Sequence, residues 1–189
     1  MKKYKEWQNN DNENPKGKRI LALIIGALIF PISIPAVLVL LLPRADKIIG
    51  IGSFYVGYGN IIIGAIAIII GGFLAFWTII AQIKLASGTP FPMLPTKKLL
   101  IIGPYKYCRN PMTLGTILAY SGVAISVGSY TALAAVVIFS LILIVYLKLI
   151  EEKELEMRFG REYLEYRINT PFILPISFAK GEKDHEQEK

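Results

Sequence analysis

Residues 103–115 read Gly-Pro-Tyr-Lys-Tyr-Cys-Arg-Asn-Pro-Met-Thr-Leu-Gly, and this segment joins two long, mainly apolar parts of the chain. Proline lacks an N–H and has a preset φ, so Pro111 suits the first position of a helix, and Asn110 before it suits the cap. The unpaired N–H groups and the dipole of a helix start favour an anion. Arg109 places a positive charge beside them. The segment therefore predicts a helix that starts at Pro111 and a site for a ligand carboxylate at a membrane surface.

Three blocks without Asp, Glu, Lys or Arg indicate an integral membrane protein: residues 20–43, 48–83 and 110–147. A helix needs about 20 apolar residues to cross a bilayer, so the first two blocks fit one helix each. The third block is too long for one helix and contains a break at 126–130, which predicts a helical hairpin. We expect an all-α, polytopic membrane protein with about four transmembrane helices, in which 44–47 forms a short outer turn.

The Lys and Arg residues behind the net charge of +7 cluster in the segments between and beside the apolar blocks, as in membrane proteins of defined orientation. This distribution argues against a nucleic-acid partner. Lys and Arg are concentrated in segments 1–19, 84–111 and 148–189, with six, five and eight of them respectively. By the positive-inside rule, both termini and the central loop face the cytoplasm. The single cysteine excludes an internal disulfide and a Cys-rich zinc site, and the only histidine, His185, lies in a charged tail. We expect no metal site.

The helix expected over 58–83 carries several glycines. Small residues let membrane helices approach closely, so this helix is predicted to pack tightly on its neighbours.

The chain divides into five parts along its length. The parts are a polar N-terminal arm (1–19), two transmembrane helices (20–83), a Pro-rich cytosolic or interfacial loop (84–110), a hairpin with a cytosolic amphipathic extension that forms a cofactor site (111–175), and a charged tail (176–189).

Glu151 and Glu152 follow the hairpin and are expected to return to the depth of Arg109. At 1.5 Å per residue each arm of the hairpin is roughly 25–30 Å long. Taken alone, the two acids fit the solvated face of an amphipathic extension. Beside Arg109 they suit a ligand that carries a carboxylate at one point and an ammonium and ribose hydroxyls at another. S-adenosylmethionine is such a ligand.

The order of these motifs resembles the superfamily of isoprenylcysteine carboxyl methyltransferases and phospholipid methyltransferases. The resemblance covers roughly residues 100–175, with two separated motifs in the right order and a helical hairpin between them. Its residues are Gly103-Pro104-Tyr105, Arg109-Asn110-Pro111, Gly115, Glu151-Glu152, Leu155, Phe159-Gly160, Tyr163, Tyr166 and the closing apolar run Pro171 to Pro175.

The resemblance implies a membrane-embedded, S-adenosylmethionine-dependent methyltransferase. In such enzymes the C-terminal hairpin and its extension hold the cofactor near the cytosolic face, and a lipophilic acceptor arrives from the bilayer. Arg109 and Glu152 are carried over as the catalytic pair. Carried over by motif, the cofactor-binding residues are Tyr105, Arg109, Asn110, Pro111, Gly115, Glu151 and Glu152.

The methyl acceptor stays open at this point. An isoprenylcysteine carboxylate is the leading interpretation, and a phospholipid ethanolamine nitrogen or a small thiol are alternatives. Thr113 stands where the superfamily usually has Tyr, and Lys148 is the basic residue nearest to where many members have Arg. A non-enzymatic scaffold or transporter subunit is the alternative of another class. Tyr163 and Tyr166 suit either stacking on adenine or packing, and Cys108 suits packing better than nucleophilic catalysis.

Overall fold

The computed structural model describes residues 24, 26, 28–85 and 99–175, and within these ranges the chain is helical without a strand. The predicted N-terminal arm, residues 86–98 of the Pro-rich loop and the charged tail lie outside the described residues. The helices are α1 (Ile34–Leu40), α2 (Leu42–Ile49), α3 (Tyr58–Leu85), α4 (Pro111–Val127), α5 (Tyr130–Tyr146), α6 (Glu152–Phe159) and α7 (Arg161–Asn169), with π-helical turns at Ile29–Ser33 and Leu147–Glu151 and a 3-10 turn at Gly103–Lys106.

Three of the described stretches are long and apolar enough to cross a membrane: Ile29–Ile49, Tyr58–Lys84 and Tyr130–Phe159. Helix α4 is a shorter apolar helix. Many large apolar side chains on these helices are exposed at the surface of the chain, as expected where lipid replaces water. The all-α fold and the polytopic membrane class predicted from the sequence are confirmed.

Helix α2 corrects one prediction about the outer surface. Residues 44–47 were expected to form a turn, but they lie inside α2, which ends at Gly50 in the left-handed conformation. The helix is fixed by the buried Asp46 side chain, which accepts hydrogen bonds from Ser129 Oγ at 2.5 Å and from the Thr131 N–H at 3.0 Å. Because these donors belong to the start of α5, a carboxylate on α2 caps a neighbouring helix.

Helices α3 and α4 pack with their backbones in direct contact. Gly64 and Gly71 on α3 face Gly122 and Gly115 on α4, and in each helix the two glycines are seven residues apart and share a face. A Cβ atom at Gly115 would lie 2.6 Å from the Gly71 carbonyl oxygen, and one at Gly122 would lie 2.6 Å from that of Gly64. Only hydrogen fits at these positions, so the predicted close packing is confirmed for this seam.

The hairpin formed by α4 and α5 turns at the predicted break. Gly128 has φ of +64°, a conformation that glycine adopts without strain, and it ends α4. Ser129 Oγ then accepts a hydrogen bond from the Ala132 N–H at 3.1 Å and caps α5. Asn60 of α3 donates from Nδ2 to the Ile125 carbonyl oxygen at 2.9 Å. The start of α4 and the end of α5 therefore meet at the opposite end of the bundle.

Candidate active site

The two ends of the hairpin are joined by an ion pair between Arg109 and Glu152. Arg109 precedes α4, and Glu152 is the first residue of α6. Arg109 Nη1 lies 2.5 Å from Glu152 Oε1, and the two side chains are only 11% and 13% exposed. Breaking a buried ion pair by removing one partner leaves an uncompensated charge, which is strongly destabilising. We call these two residues the charge pair.

The hydrogen bonding of the charge pair is incomplete. Arg109 Nε and Glu152 Oε1 are buried, and neither has a hydrogen-bond partner among the described residues. The approach of Nη1 to Oε1 is an ion pair without hydrogen-bond geometry. A buried polar atom without a partner costs about 1–3 kcal/mol. Arg109 Nε therefore remains a buried donor without a partner where the hairpin ends meet, whereas Glu152 Oε1 is engaged electrostatically by Arg109 Nη1.

Residues after α7 fold back over Arg109. The Arg109 N–H donates to the Pro171 carbonyl oxygen at 2.9 Å. The Arg109 guanidinium lies over the Phe172 ring, 5.5 Å from its centroid, and Lys148 Nζ lies 5.1 Å from the same centroid. Both are cation–π arrangements. The sequence marked Pro171 to Pro175 as a closing apolar run, but nothing in its composition indicated that Phe172 would cover the two cations.

Asn110 does not cap α4 as predicted. Its Nδ2 donates to the Phe172 carbonyl oxygen at 3.0 Å, and its side chain makes no capping hydrogen bond. The prediction is wrong because the closing run competes for this amide. The Asn110 backbone carbonyl still accepts from the Leu114 N–H at 3.1 Å, and α4 begins at Pro111 as expected.

Tyr163 and Tyr166 pack the extension onto the hairpin. They are 1% and 6% exposed, and Tyr166 Oη donates to the Tyr105 carbonyl oxygen at 2.7 Å. Arg109 Nη1 also lies 3.5 Å from Tyr163 Oη. Burial raises the pKa of both hydroxyls, so they stay protonated and neutral. Of the two interpretations drawn from the sequence, packing accounts for both side chains.

Gln82, near the C-terminal end of α3, was missed by sequence reasoning. Its Nε2 donates to Tyr105 Oη at 2.5 Å, and its Oε1 is buried without a hydrogen-bond partner among the described residues. Burial, and to a smaller extent the Glu151 carboxylate, raises the pKa of Tyr105. The sequence feature that could have identified Gln82 is a polar side-chain amide near the end of a long apolar helix.

Of the seven predicted site residues, Tyr105 bonds to Gln82 and Tyr166, Pro111 begins α4, and the other five fall into two groups. Arg109, Asn110 and Glu152 lie together beneath the closing run, and Glu151 is adjacent to them in sequence. Gly115 instead faces α3 and its Gly71 backbone, which accounts for the glycine. Its contact with a cofactor stays a prediction.

A family model described as Phospholipid methyltransferase matches residues 60–162, more than half of the chain. The chain belongs to the phospholipid methyltransferase family. This family is part of the superfamily of integral membrane methyltransferases that the motifs indicated, so that prediction is confirmed. The matched range of the phospholipid methyltransferase model begins on α3 and contains Gln82, Arg109 and Glu152. No curated protein and no solved structure matched the chain.

Proposed function

We propose that this protein transfers a methyl group from S-adenosylmethionine to a lipophilic acceptor at the cytosolic face of a membrane. The observation that carries the proposal is the buried charge pair, Arg109 with Glu152, where the hairpin ends meet. Membership of a methyltransferase family supports the reaction class. A hairpin with a purely structural role does not need a buried ion pair with unused hydrogen-bonding atoms.

The residues present fit S-adenosylmethionine by the chemistry of their free atoms. Arg109 Nε is a buried donor without a partner, suited to the amino-acid carboxylate. The Glu152 carboxylate, whose Oε1 pairs with Arg109 Nη1, and the adjacent Glu151 carboxylate are acidic groups suited to an ammonium or a ribose hydroxyl. Asn110 and Pro111 place the start of α4 beside Arg109. When bound, S-adenosylmethionine supplies an electrophilic methyl group on a sulfonium sulfur.

The protein's own contribution is alignment and exclusion of water. The charge pair is nearly buried, so its electrostatic interactions are stronger than they would be in water. A site that holds the reacting groups in line converts a bimolecular reaction into an effectively unimolecular one, which lowers the entropic part of the barrier. Tyr163 and Tyr166 keep their protons at neutral pH, because burial raises the pKa of both, so they hold geometry and do not act as bases. A carboxylate or thiolate acceptor needs no base, whereas an ammonium must first lose a proton.

Two acceptor classes are the main candidates. The sequence motifs resemble those of isoprenylcysteine carboxyl methyltransferases, which favours a prenylated cysteine carboxylate. The description of the matched family favours a phospholipid amine. A small thiol is a third alternative.

The test is methyl transfer by the purified protein in lipid–detergent micelles. Tritiated S-adenosylmethionine is supplied with phosphatidylethanolamine, N-acetyl-S-farnesylcysteine or dodecanethiol, and in parallel with a total membrane lipid extract. We expect label in one acceptor class. Arg109→Ala should abolish labelling, and Arg161→Ala, an exposed arginine on α7, should not. Absence of label in every acceptor and in the extract, together with absence of cofactor binding, would favour the scaffold or transporter-subunit alternative.

A further inference from the structure

We propose that Gln82 and Tyr105 form the acceptor subsite, which holds the head group of an acceptor whose reacting atom carries N–H bonds. The inference rests on the proposed function, and it adds two residues to the reaction that lie apart from the charge pair. Gln82 is contributed by α3, a transmembrane helix, and Tyr105 by the 3-10 turn that precedes α4.

The side chains of Gln82 and Tyr105 have unused hydrogen-bonding capacity. Gln82 Nε2 donates to Tyr105 Oη, so the hydroxyl acts there as the acceptor and its own hydrogen is left for another group. Gln82 Oε1 is buried and has no hydrogen-bond partner within the described ranges. An acceptor atom and a donor therefore lie side by side, at a position where an unpaired amide oxygen is costly. A head group with N–H bonds and a lone pair satisfies both.

The charge near Tyr105 is negative. The Glu151 carboxylate is near enough to Tyr105 to add to the rise in its pKa, although burial is the larger cause. Of the described basic residues closest in sequence to Gln82, Tyr105 and Glu151, two are engaged, Arg109 with Glu152 and Lys148 with the Phe172 ring. The other three are exposed: Lys84, Lys106 and Lys153. A negative group beside an amide oxygen favours an amine or ammonium over a carboxylate. The arrangement therefore selects against an anionic acceptor.

The arrangement of α3, α4 and α5 leaves the side of Gln82 open toward the bilayer. Helix α4 packs against both α3 and α5, and in the described part of the chain α3 and α5 make at most isolated contacts with each other. Gln82 lies near the C-terminal end of α3, and Glu151 lies in the π-helical turn that follows α5. Ile83, next to Gln82, is 46% exposed and apolar. A lipid-soluble acceptor can thus reach the amide from the hydrocarbon side, while the charge pair lies beneath the closing run.

The position of Glu151 joins the two subsites. It precedes Glu152 of the charge pair in sequence and is electrostatically coupled to Tyr105 of the acceptor subsite. Methyl transfer forms a bond from the acceptor lone pair to the methyl carbon as the bond to sulfur breaks, so cofactor and acceptor must meet. The neighbourhood of Glu151 is where the two subsites adjoin.

The experiment compares three variants of the full chain. Gln82→Leu removes the amide at similar size, and Tyr105→Phe removes only the hydroxyl. Thr78→Val is the matched control, because Thr78 lies one turn before Gln82 on α3, is fully buried, and donates to the Leu74 carbonyl oxygen at 2.7 Å. For each protein we measure the Kd of S-adenosylhomocysteine by calorimetry, kcat and KM for phosphatidylethanolamine, and the midpoint of thermal unfolding.

We expect Gln82→Leu to raise the KM for phosphatidylethanolamine at least tenfold, and Tyr105→Phe at least threefold. The Kd of S-adenosylhomocysteine should stay within about twofold of the wild-type value, because this proposal moves Tyr105 from the cofactor-binding set expected from the motifs to the acceptor subsite. Thr78→Val should change none of these quantities. If Gln82→Leu does not fold, Gln82→Asn, which withdraws the amide by one methylene, should raise the same KM.

Three results would overturn this assignment. A lowered unfolding midpoint with unchanged KM would make the pair structural, and a weakened Kd for S-adenosylhomocysteine would place it in the cofactor site. Methylation of N-acetyl-S-farnesylcysteine without methylation of phosphatidylethanolamine would contradict the amine selectivity and leave the proposed function intact. Failure of the wild-type protein to bind S-adenosylhomocysteine would instead contradict the proposed function itself.

Discussion

Arg109 is contacted by three parts of the chain that are far apart in sequence. Glu152 meets it from the end of the hairpin, Tyr163 from α7, and the Phe172 ring from the closing run. Its own backbone N–H is held by the Pro171 carbonyl oxygen. A guanidinium fixed from several directions loses little further freedom when it binds a ligand, which favours tight recognition of a planar carboxylate.

That Arg109 and Glu152 lie at the same end of the hairpin was predictable from the length of its two arms, whereas their direct ion pair was not predicted. The roles of Phe172 and Gln82 were not predictable. Phe172 covers Arg109 only after α7 has folded back, and Gln82 contacts Tyr105 across a loop whose path the sequence does not determine. Asn110 shows the same effect, because its side chain bonds to the distant Phe172 carbonyl oxygen and does not make the predicted cap.

The Cys108 thiol is expected to be unreactive in the folded protein. It is 2% exposed, and burial raises its pKa, so the folded chain holds the thiol proton more tightly than the unfolded chain. At about pH 8, alkylation by iodoacetamide should be at least tenfold slower than in denaturant. Lys106→Cys, an exposed position two residues earlier, supplies the reactive control. Equal rates for the two thiols in the folded protein would contradict the packing role of Cys108.

At the scale of elements, the seam between α3 and α4 fixes the position of the hairpin. Its glycines were recognised as packing residues from their number in an apolar helix. Which of them face α4 was not predictable, because Gly71 and Gly72 are neighbours and either fits the pattern. Gly71 faces the backbone of Gly115, whereas Gly72 faces open space. The extent of α2 was likewise missed, since Asp46 bonds to the start of α5 and not to its own surroundings in sequence.

Gly71→Ala is expected to destabilise the protein, and Gly72→Ala is not. A methyl group at Gly71 would overlap the Gly115 carbonyl oxygen and the Ala119 nitrogen, neither of which can move without shifting a helix. Overpacking of this kind costs about 1–3 kcal/mol. At Gly72 a Cβ atom meets nothing within 4 Å, so the substitution should leave the unfolding midpoint unchanged or raise it slightly. The measurement is thermal unfolding of both variants in micelles, compared with the wild-type protein. Equal losses of stability in the two variants would contradict the close packing of α3 on α4 at Gly71.

At the scale of the whole molecule, four apolar helical segments and the family were both predictable from the sequence. Long uncharged blocks and motifs in a fixed order can be recognised in the sequence without knowing which side chains contact each other. The orientation in the membrane stays a prediction from the distribution of Lys and Arg. The described residues define its two ends: the loop between α2 and α3 bonds to the Gly128 turn, and the Gly103–Lys106 turn lies beside the charge pair.

Cysteine labelling tests that orientation. Gly52 lies in the loop between α2 and α3, and Lys106 lies in the 3-10 turn at the other end of the bundle; both are exposed. With the protein expressed in a bacterial inner membrane, a membrane-impermeant maleimide should label Gly52→Cys in intact spheroplasts and Lys106→Cys only after permeabilisation. The buried Cys108 of the wild-type chain serves as the background control. The reverse pattern would place the charge pair on the outer side and contradict the cytosolic assignment.

The central claim is that the charge pair holds the cofactor, and calorimetric titration of S-adenosylhomocysteine tests it most directly. Arg109→Ala and Glu152→Ala should each weaken the Kd about tenfold or more, since each removes a charge-assisted contact of roughly 1.5–3 kcal/mol. Arg161→Ala and Glu165→Ala remove a solvent-exposed ion pair of the same chemistry, 93% and 71% exposed, and should leave the Kd unchanged. Unaltered binding in the two charge-pair variants, or equal losses in all four, would contradict the claim.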